Sequence, residues 1–99
     1  IGARLDLHGY TVSESDRILS RFFIGCQLDG IQFVLIITGK GASKSSPLIL
    51  GTLQKFVPKW LADHPMWVVY FSQATPNDGG SGAFYVHVRN PDRISGNIV

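Results

Sequence analysis

The chain contains a single cysteine, Cys26, in 99 residues. One thiol cannot close an internal disulfide bond and cannot supply a metal site built from several cysteines. Apolar residues recur at helical spacing around Cys26, which predicts a buried thiol rather than a nucleophile. The sequence therefore excludes a fold held by disulfides and a cysteine-rich metal site.

Long hydrophobic runs are also absent, since no apolar stretch approaches the roughly 20 residues that a membrane-spanning helix needs. No secretory leader is visible, and the chain begins at Ile1 rather than at a methionine. We therefore expect a cytoplasmic domain that belongs to a longer protein and has no membrane partner.

Charge is sparse and nearly balanced. Charged residues make up 16% of the chain, and nine Lys and Arg against seven Asp and Glu leave a net charge of +2. This balance permits a polyanionic partner without requiring one, because binding depends on where the charge clusters. With 44% hydrophobic residues, the chain is long enough for one core and too short for two. We expect one domain over residues 1–90 and a C-terminal tail over 91–99.

Hydrophobic periodicity predicts the element order βαβαββ. Thr11 and Glu14 have the spacing of a capping box at the start of the first helix, and Ser46-Pro47 is typical of the start of the second. Pro58 lies inside the second helix, where we expect a kink or a break. The predicted strands are 4–8, 33–37, 67–71 and 83–89, and the first helix runs from 12 to 29.

Right-handed crossovers predict that the first three strands are parallel, and a hairpin makes the fourth antiparallel. The uninterrupted apolar run from Phe33 to Ile37 predicts a central strand that is buried on both faces. The same topology brings three glycine-containing loops to the carboxyl edge of the sheet, where open α/β sheets usually bind ligands. These loops contain Gly9, Gly39 to Gly41, and Gly79 to Gly82.

Asp6 and His8 are the first candidates for catalysis. Strand alternation places them on one face, with Leu5 and Leu7 directed into the core. A carboxylate beside an imidazole can orient the ring and stabilise its cationic form, so that His8 moves protons near neutral pH. An ordinary surface pair is the alternative interpretation.

The glycine loops are candidates for phosphate binding. Thr38-Gly39-Lys40-Gly41 can present backbone N–H groups without obstruction, and Lys40 adds a positive charge. The motif matches neither the Walker pattern nor the dinucleotide fingerprint, which disfavours a nucleotide cofactor. Gly80, Ser81 and Gly82 are interpreted in the same way. For both loops, a plain turn is the alternative.

Polar and aromatic side chains share the sheet face of Asp6 and His8. Alternation predicts Tyr85, His87 and Arg89 there from the fourth strand and Arg4 from the first, a pattern that suits a nucleic-acid strand. Arg89 lies towards the far edge and is expected only as a distal contact. A solvated sheet face is the alternative.

Metal and nucleophile chemistry have little support. Two-metal nucleases assemble several carboxylates, whereas here Asp6 and Asp78 are the only candidates to reach the proposed site. We therefore predict no metal ligands. The serines at 43, 45 and 46 have no elbow motif around them, so a serine triad is not indicated.

Three short motifs follow one another along the chain: Leu5-Asp6-Leu7-His8-Gly9 with Thr11, then Thr38-Gly39-Lys40-Gly41, then Gly79-Gly80-Ser81-Gly82-Ala83 with Tyr85-Val86. In this order they resemble the small MutS-related (Smr) domain, and in particular that of bacterial stand-alone Smr proteins. Many relatives carry an arginine early in the second helix, where this chain has Pro47-Leu48-Ile49-Leu50. Lys40 or Lys44 is expected to substitute for it.

The resemblance implies a two-layer α/β (α+β) fold like the C-terminal domain of translation initiation factor 3, with a four-stranded mixed sheet and both helices on one face. It implies an endonuclease that nicks DNA or cleaves RNA, including messenger RNA on stalled ribosomes. Asp6 and His8 match the family's catalytic motif, and Gly39 and Gly41 match its glycine loop. The expected nucleic-acid or phosphate contacts are Gly9, Thr11, Thr38, Gly39, Lys40, Gly41, Lys44, Gly80, Ser81 and Gly82.

The leading hypothesis is an endonuclease in which His8 acts as general acid or base, Asp6 orients it, and the loop amides with Lys40 hold the scissile phosphate. RNA is slightly favoured over DNA. With RNA the neighbouring 2′-hydroxyl can attack and no cofactor is needed, whereas with DNA water must attack and a divalent cation is favoured. The alternative is a non-catalytic adaptor that binds nucleic acid or a ribosome surface, and a small-molecule phosphate binder is a weaker third possibility.

Overall fold

The computed structural model of the chain describes residues 1–39 and 52–90. Two short 3-10 turns, Pro76–Asp78 and Gly80–Gly82, lie between the last two strands. The predicted start of the second helix at Ser46 and the predicted tail over 91–99 lie outside the described residues. The elements are β1 (Ala3–Asp6), α1 (Val12–Asp29), β2 (Phe33–Ile37), α2 (Thr52–Ala62), β3 (Val68–Gln73) and β4 (Ala83–Val88), which confirms the predicted order.

The four strands form one mixed sheet in the order β1-β2-β4-β3. β1 pairs with β2 in parallel, and β4 is antiparallel to both β2 and β3. β1, β2 and β3 therefore run in one direction and β4 in the other, as predicted. The carboxyl ends of β1, β2 and β3 meet the amino end of β4 at one edge of the sheet, which we call the carboxyl edge.

Helix α1 begins and ends where its sequence signals predicted. The Thr11 hydroxyl accepts a hydrogen bond from the Glu14 amide, and the Glu14 carboxylate accepts one from the Thr11 amide, so the capping box is complete. At the other end Gly30 adopts a left-handed conformation with φ of 69°, which glycine tolerates without strain. The cap at Thr11 sets the point at which the chain leaves the carboxyl edge.

Both helices pack on the same face of the sheet and bury the main core there. Phe23 of α1 is fully buried and stacks against Trp60 of α2 with ring centroids 5.7 Å apart. Burial of such a side chain contributes about 1.5 to 3 kcal/mol. Cys26 is buried as predicted, and burial raises the pKa of its thiol to about 11. The core is completed by Leu7, directly after β1, and by the strand residues Val34, Ile36, Val68, Phe84, Val86 and Val88.

The other face of the sheet carries no helix from the described part of the chain, and we call it the open face. A small apolar cluster of Leu35, Ala74 and Ala83 lies there near the carboxyl edge. Phe33, at the start of β2, is 45% exposed. The prediction of a strand buried on both faces is therefore wrong at Phe33, because no layer covers the open face at that point, while the predicted central position of β2 is confirmed.

Three further sequence predictions need correction. Pro58 does not break α2, which continues from Thr52 to Ala62, because burial of Val57, Trp60 and Leu61 holds the turns on both sides of it. β3 spans 68–73 rather than 67–71, and β4 ends one residue earlier than predicted. β4 keeps its predicted alternation, with Phe84, Val86 and Val88 in the core, whereas the register of β3 shifts between Val68 and Tyr70.

Candidate functional site

β1 ends at Asp6, two residues before its predicted end at His8. The reason is local: Asp6 Oδ1 accepts a hydrogen bond of 3.0 Å from the His8 amide, which turns the backbone away from the strand direction. Gly9 then takes a φ of 86°, and the Tyr10 amide donates to the Leu7 carbonyl to close the turn. The Asp6 side chain therefore both ends the strand and positions His8.

The two side chains also contact each other directly. His8 Nδ1 lies 3.0 Å from Asp6 Oδ1, and the side chains are 74% and 51% exposed. The amide of His8 is the main cause that holds the pKa of the Asp6 carboxyl below its ordinary value of 3.8; burial opposes this effect, and the His8 ring adds to the lowering. Because an ionised carboxylate can only accept, Nδ1 carries the proton in this contact, and Nε2 takes no part in it.

The loop after β2 lies next to His8. Gly39 adopts a φ of 78°, and a methyl group added there would lie 3.4 Å from the His8 Cβ. The amides of Thr38 and Gly39 donate to the Gly82 carbonyl, at 2.8 and 3.1 Å. The structure thus brings together at the carboxyl edge the motif of Asp6 and His8, the described part of the β2 loop and the turn before β4.

The described loop amides, however, are largely occupied. Besides Thr38 and Gly39, the Gly80 amide donates to the Thr75 carbonyl and the Gly82 amide donates to the Gly79 carbonyl. These four N–H groups are therefore not open donors for phosphate in this conformation, contrary to the mechanism expected from the sequence. The glycines instead allow the loops to approach one another closely beside His8.

Helix α2 is tied to the same edge by a residue that the sequence analysis did not single out. Gln54 Nε2 donates to the Ser81 carbonyl at 2.8 Å and lies 3.4 Å from the Ser81 hydroxyl. A glutamine in the first described turn of a helix carries no sequence signal of its own. Only the fold brings it to the glycine turn, where it fixes the position of Ser81.

Tyr85 organises the connection between β3 and β4. Its hydroxyl donates a short hydrogen bond to Asp78 Oδ2, and it lies 3.0 Å from the Thr75 hydroxyl and 3.3 Å from the Thr75 amide. Asp78 thus bonds to Tyr85 and not to Asp6 or His8. In the described structure this bond ties the turn Pro76–Asp78, which precedes Gly82, to β4.

Thr11 stands at the entry to α1, with its hydroxyl oxygen accepting from Glu14. The hydroxyl proton is not used by that bond and can still be donated to a ligand. Lys40, Gly41 and Lys44 lie outside the described residues.

Among the described residues no group of three or more His, Cys, Asp or Glu side chains could hold a metal ion. Nor does any described helix have the length and apolar character needed to cross a membrane.

Strand register confirms which side chains share the open face with Asp6. Arg4 pairs with Leu35, and Leu35 pairs with Tyr85, so these three residues lie side by side across the sheet. Arg4 is two residues before Asp6 on the same strand face. His87 lies further along β4, paired with Phe33. Arg89 follows β4 at the opposite end of the sheet from Asp6, where its Nε donates to the Pro65 carbonyl.

Comparison with known proteins agrees with this fold. The family model of the Smr domain matches residues 5–89. The chain therefore belongs to the Smr domain family. In the crystal structure of the Smr domain of Thermus thermophilus MutS2, the fold superposes with a TM-score of 0.75 at 25% identity, covering 88% of this chain and 98% of that one. YdaL, a stand-alone small MutS-related protein from Escherichia coli, superposes with a TM-score of 0.73 at 36% identity over 90% of this chain and 66% of that chain.

Two curated relatives show the contexts in which similar sequences occur. Endonuclease MutS2 of Helicobacter pylori strain 26695 is 43% identical over 79 residues, which are 80% of this chain and 9% of that protein. Ribosome rescue factor SmrB of Haemophilus ducreyi is 30% identical over 90 residues, which are 91% of this chain and 46% of that protein. The chain thus spans a small part of MutS2 and about half of SmrB.

Proposed function

We propose that this Smr domain is an endonuclease that cleaves RNA, with His8 as the proton-transferring group and Asp6 as its orienting partner. The observation that supports it best is the contact of 3.0 Å between Asp6 Oδ1 and His8 Nδ1, at an exposed edge where the glycine loops meet. The relatives named as an endonuclease and as a ribosome rescue factor support a nucleic-acid substrate.

The proposed reaction uses the nucleophile that RNA itself contains. His8 Nε2 accepts the proton of a 2′-hydroxyl while the 2′-oxygen attacks the adjacent phosphorus, and the bond from phosphorus to the 5′-oxygen breaks. The leaving 5′-oxygen takes a proton from solvent, and the imidazolium later returns its own. The products carry a 2′,3′-cyclic phosphate and a 5′-hydroxyl. The Asp6 carboxylate keeps the ring in the correct tautomer and stabilises the positive charge that forms on it.

Phosphate binding is assigned in the proposal to groups that can still donate. The Thr11 hydroxyl is one, and Ser81, whose hydroxyl lies beside Gln54 on the same turn, is a second. Gly9, Thr38, Gly39, Gly80 and Gly82 shape the edge, and Lys40, Gly41 and Lys44 are proposed from their places in the sequence to complete it. A DNA substrate would need an attacking water, for which a divalent cation is the usual activator.

The test is cleavage of an end-labelled single-stranded oligoribonucleotide, with and without a chelator, by the native chain and by His8→Ala. We expect cleavage by the native chain in chelator, a 2′,3′-cyclic phosphate on the product, and a loss of roughly 10² to 10⁴-fold in His8→Ala. Cleavage of a strand in which every 2′-hydroxyl has been removed would refute the route through that group. Binding without product in both proteins would favour a non-catalytic adaptor of nucleic acid or ribosomes.

A further inference from the structure

An aromatic row crosses the open face, separate from the residues assigned to cleavage. Phe33 of β2 pairs in register with His87 of β4, which pairs with Tyr70 of β3. The His87 ring stacks on Phe33 with centroids 4.7 Å apart and an interplanar angle of 19°. Tyr70 meets His87 edge to face at 5.1 Å. We call these three residues the aromatic row.

Two members of the row are unusually accessible for their chemistry. Phe33 is 45% exposed and Tyr70 is 57% exposed. In a sandwich fold a second layer would cover such rings, and no described element covers them here. His87 Nδ1 is buried without a hydrogen-bond partner among the described residues. The ring of His87 is therefore held by its aromatic neighbours rather than by a polar contact at that nitrogen.

The row lies on a continuous path to the proposed site. Ile37, which pairs with Asp6, is four positions after Phe33 in β2, so the separation along the strand is about 13 Å. Roughly four stacked nucleotides at about 3.4 Å each span that distance. Arg4 lies between the two positions on the same face, and no carboxylate of the described residues pairs with it. A positive charge between an aromatic row and a proposed cleavage site complements a phosphate backbone.

We infer that the open face binds an unpaired RNA strand, with bases stacked on Phe33 and Tyr70 and the backbone passing Arg4 towards His8. This inference rests on the proposed function for the choice of RNA, and it adds the substrate class, a single strand. Exposed aromatic rings beside a basic side chain are the usual means of binding unpaired bases, whereas duplex bases remain stacked on one another and cannot reach such rings.

The experiment measures binding in the His8→Ala background, so that cleavage does not consume the probe. One short single-stranded oligoribonucleotide is compared with its abasic counterpart, which keeps the phosphates and lacks the bases, with its deoxy counterpart, and with an RNA duplex. Fluorescence anisotropy gives affinities, and a 2-aminopurine base in the strand reports stacking by quenching. The variants are Phe33→Leu with Tyr70→Leu, which keep apolar bulk without the rings, and Leu28→Ala as a control on exposed α1 surface.

We expect the intact strand to bind roughly fivefold to a hundredfold more tightly than the abasic strand for each stacked base. This ratio should fall to about one in the double variant, with loss of quenching, and stay unchanged in Leu28→Ala. Equal affinity for intact and abasic strands, no binding at all, tighter binding of the duplex, or unchanged binding by the double variant would each overturn the inference. Tighter binding of the deoxy strand would overturn the assignment to RNA.

Further controls separate this inference from the proposed function. Circular dichroism checks the fold of the double variant, and if that variant does not fold, Tyr70→Ser alone tests the row at its most exposed ring. The conservative change Phe33→Tyr keeps a ring and should keep the affinity. If the native chain cleaves RNA and the double variant binds and cleaves equally well, the row is refuted and the endonuclease stands. If binding depends on the bases but the native chain cleaves nothing, the endonuclease is refuted and the row stands.

Discussion

Replacing Asp6 by asparagine removes the negative charge beside His8 while changing little else. The amide oxygen of asparagine can still accept hydrogen bonds from the His8 amide and from Nδ1, at positions now 3.0 Å from Asp6 Oδ1. What is lost is the charge that stabilises the imidazolium and enforces one tautomer, since an asparagine can also present its NH₂ to the ring. We expect RNA cleavage to fall by about 10² to 10⁴-fold, which corresponds to roughly 3 to 5 kcal/mol in the activation free energy.

The same substitution should hardly change the free energy of unfolding. Both side chains are more than half exposed, and exposed ion pairs contribute about 0 to 1 kcal/mol. The pKa of the Asp6 carboxyl is lowered, chiefly by the His8 amide, so its stabilising effect is complete above the ordinary value of 3.8 and is lost as the pH falls through the lower folded value. The small stability difference between the two proteins should therefore disappear in strong acid.

The assay is single-turnover cleavage of a labelled oligoribonucleotide at several pH values between about 5 and 8, a range in which Asp6 stays ionised. Urea unfolding is measured on the same samples. Asp63→Asn, which removes an exposed charge just after α2, is the matched control and should cleave like the native chain. A tenfold or smaller loss in Asp6→Asn, or an equal loss in Asp63→Asn, would contradict the assigned role of the Asp6 carboxylate.

Two further predictions concern the residues that shape the carboxyl edge. Gly39→Ala and Gly30→Ala each place a side chain on a left-handed backbone and should cost about 1 to 2 kcal/mol in stability. Only Gly39→Ala brings a methyl group to 3.4 Å from the His8 Cβ, so only it should also slow cleavage when both are assayed well below their melting temperatures; equal slowing by both would contradict this. Thr11→Ala should lower the free energy of unfolding by about 0.5 to 2 kcal/mol in urea titrations. Because the Thr11 amide and hydroxyl hold the pKa of Glu14 below its ordinary value of 4.5, this cost should shrink as the pH falls through the lower folded value, and a cost that grows in acid would refute it.

Much of the fold follows from local sequence patterns. The Thr11 capping box, the left-handed Gly30 and the apolar run of β2 were predictable because each depends on interactions between neighbouring residues or on simple periodicity. The pairing of Asp6 with His8 was predictable for the same reason, since only one residue separates them along the chain. The continuity of α2 through Pro58 was not, because packing of distant residues against the helix outweighs a local preference.

The details of the site depended on contacts that no short pattern contains. The bonds from Thr38 and Gly39 to the Gly82 carbonyl join residues more than forty positions apart and occupy amides that the sequence suggested were open donors. Gln54 reaches Ser81 from a different layer of the fold. Such hydrogen bonds form only after two loops and a helix have been brought to one edge. The local sequence around one partner therefore does not indicate the other.

By itself the sequence determined the order of the elements, the pairing of strand directions, the core face and the Asp6–His8 motif, because these depend on periodicity, chain connectivity and near neighbours. The tertiary structure alone decided which loop amides are already bonded, where Phe33 remains exposed, and which rings of three strands line up as the aromatic row. Those features depend on strand register and on which face lacks a covering layer, and both are set only when distant segments pack together.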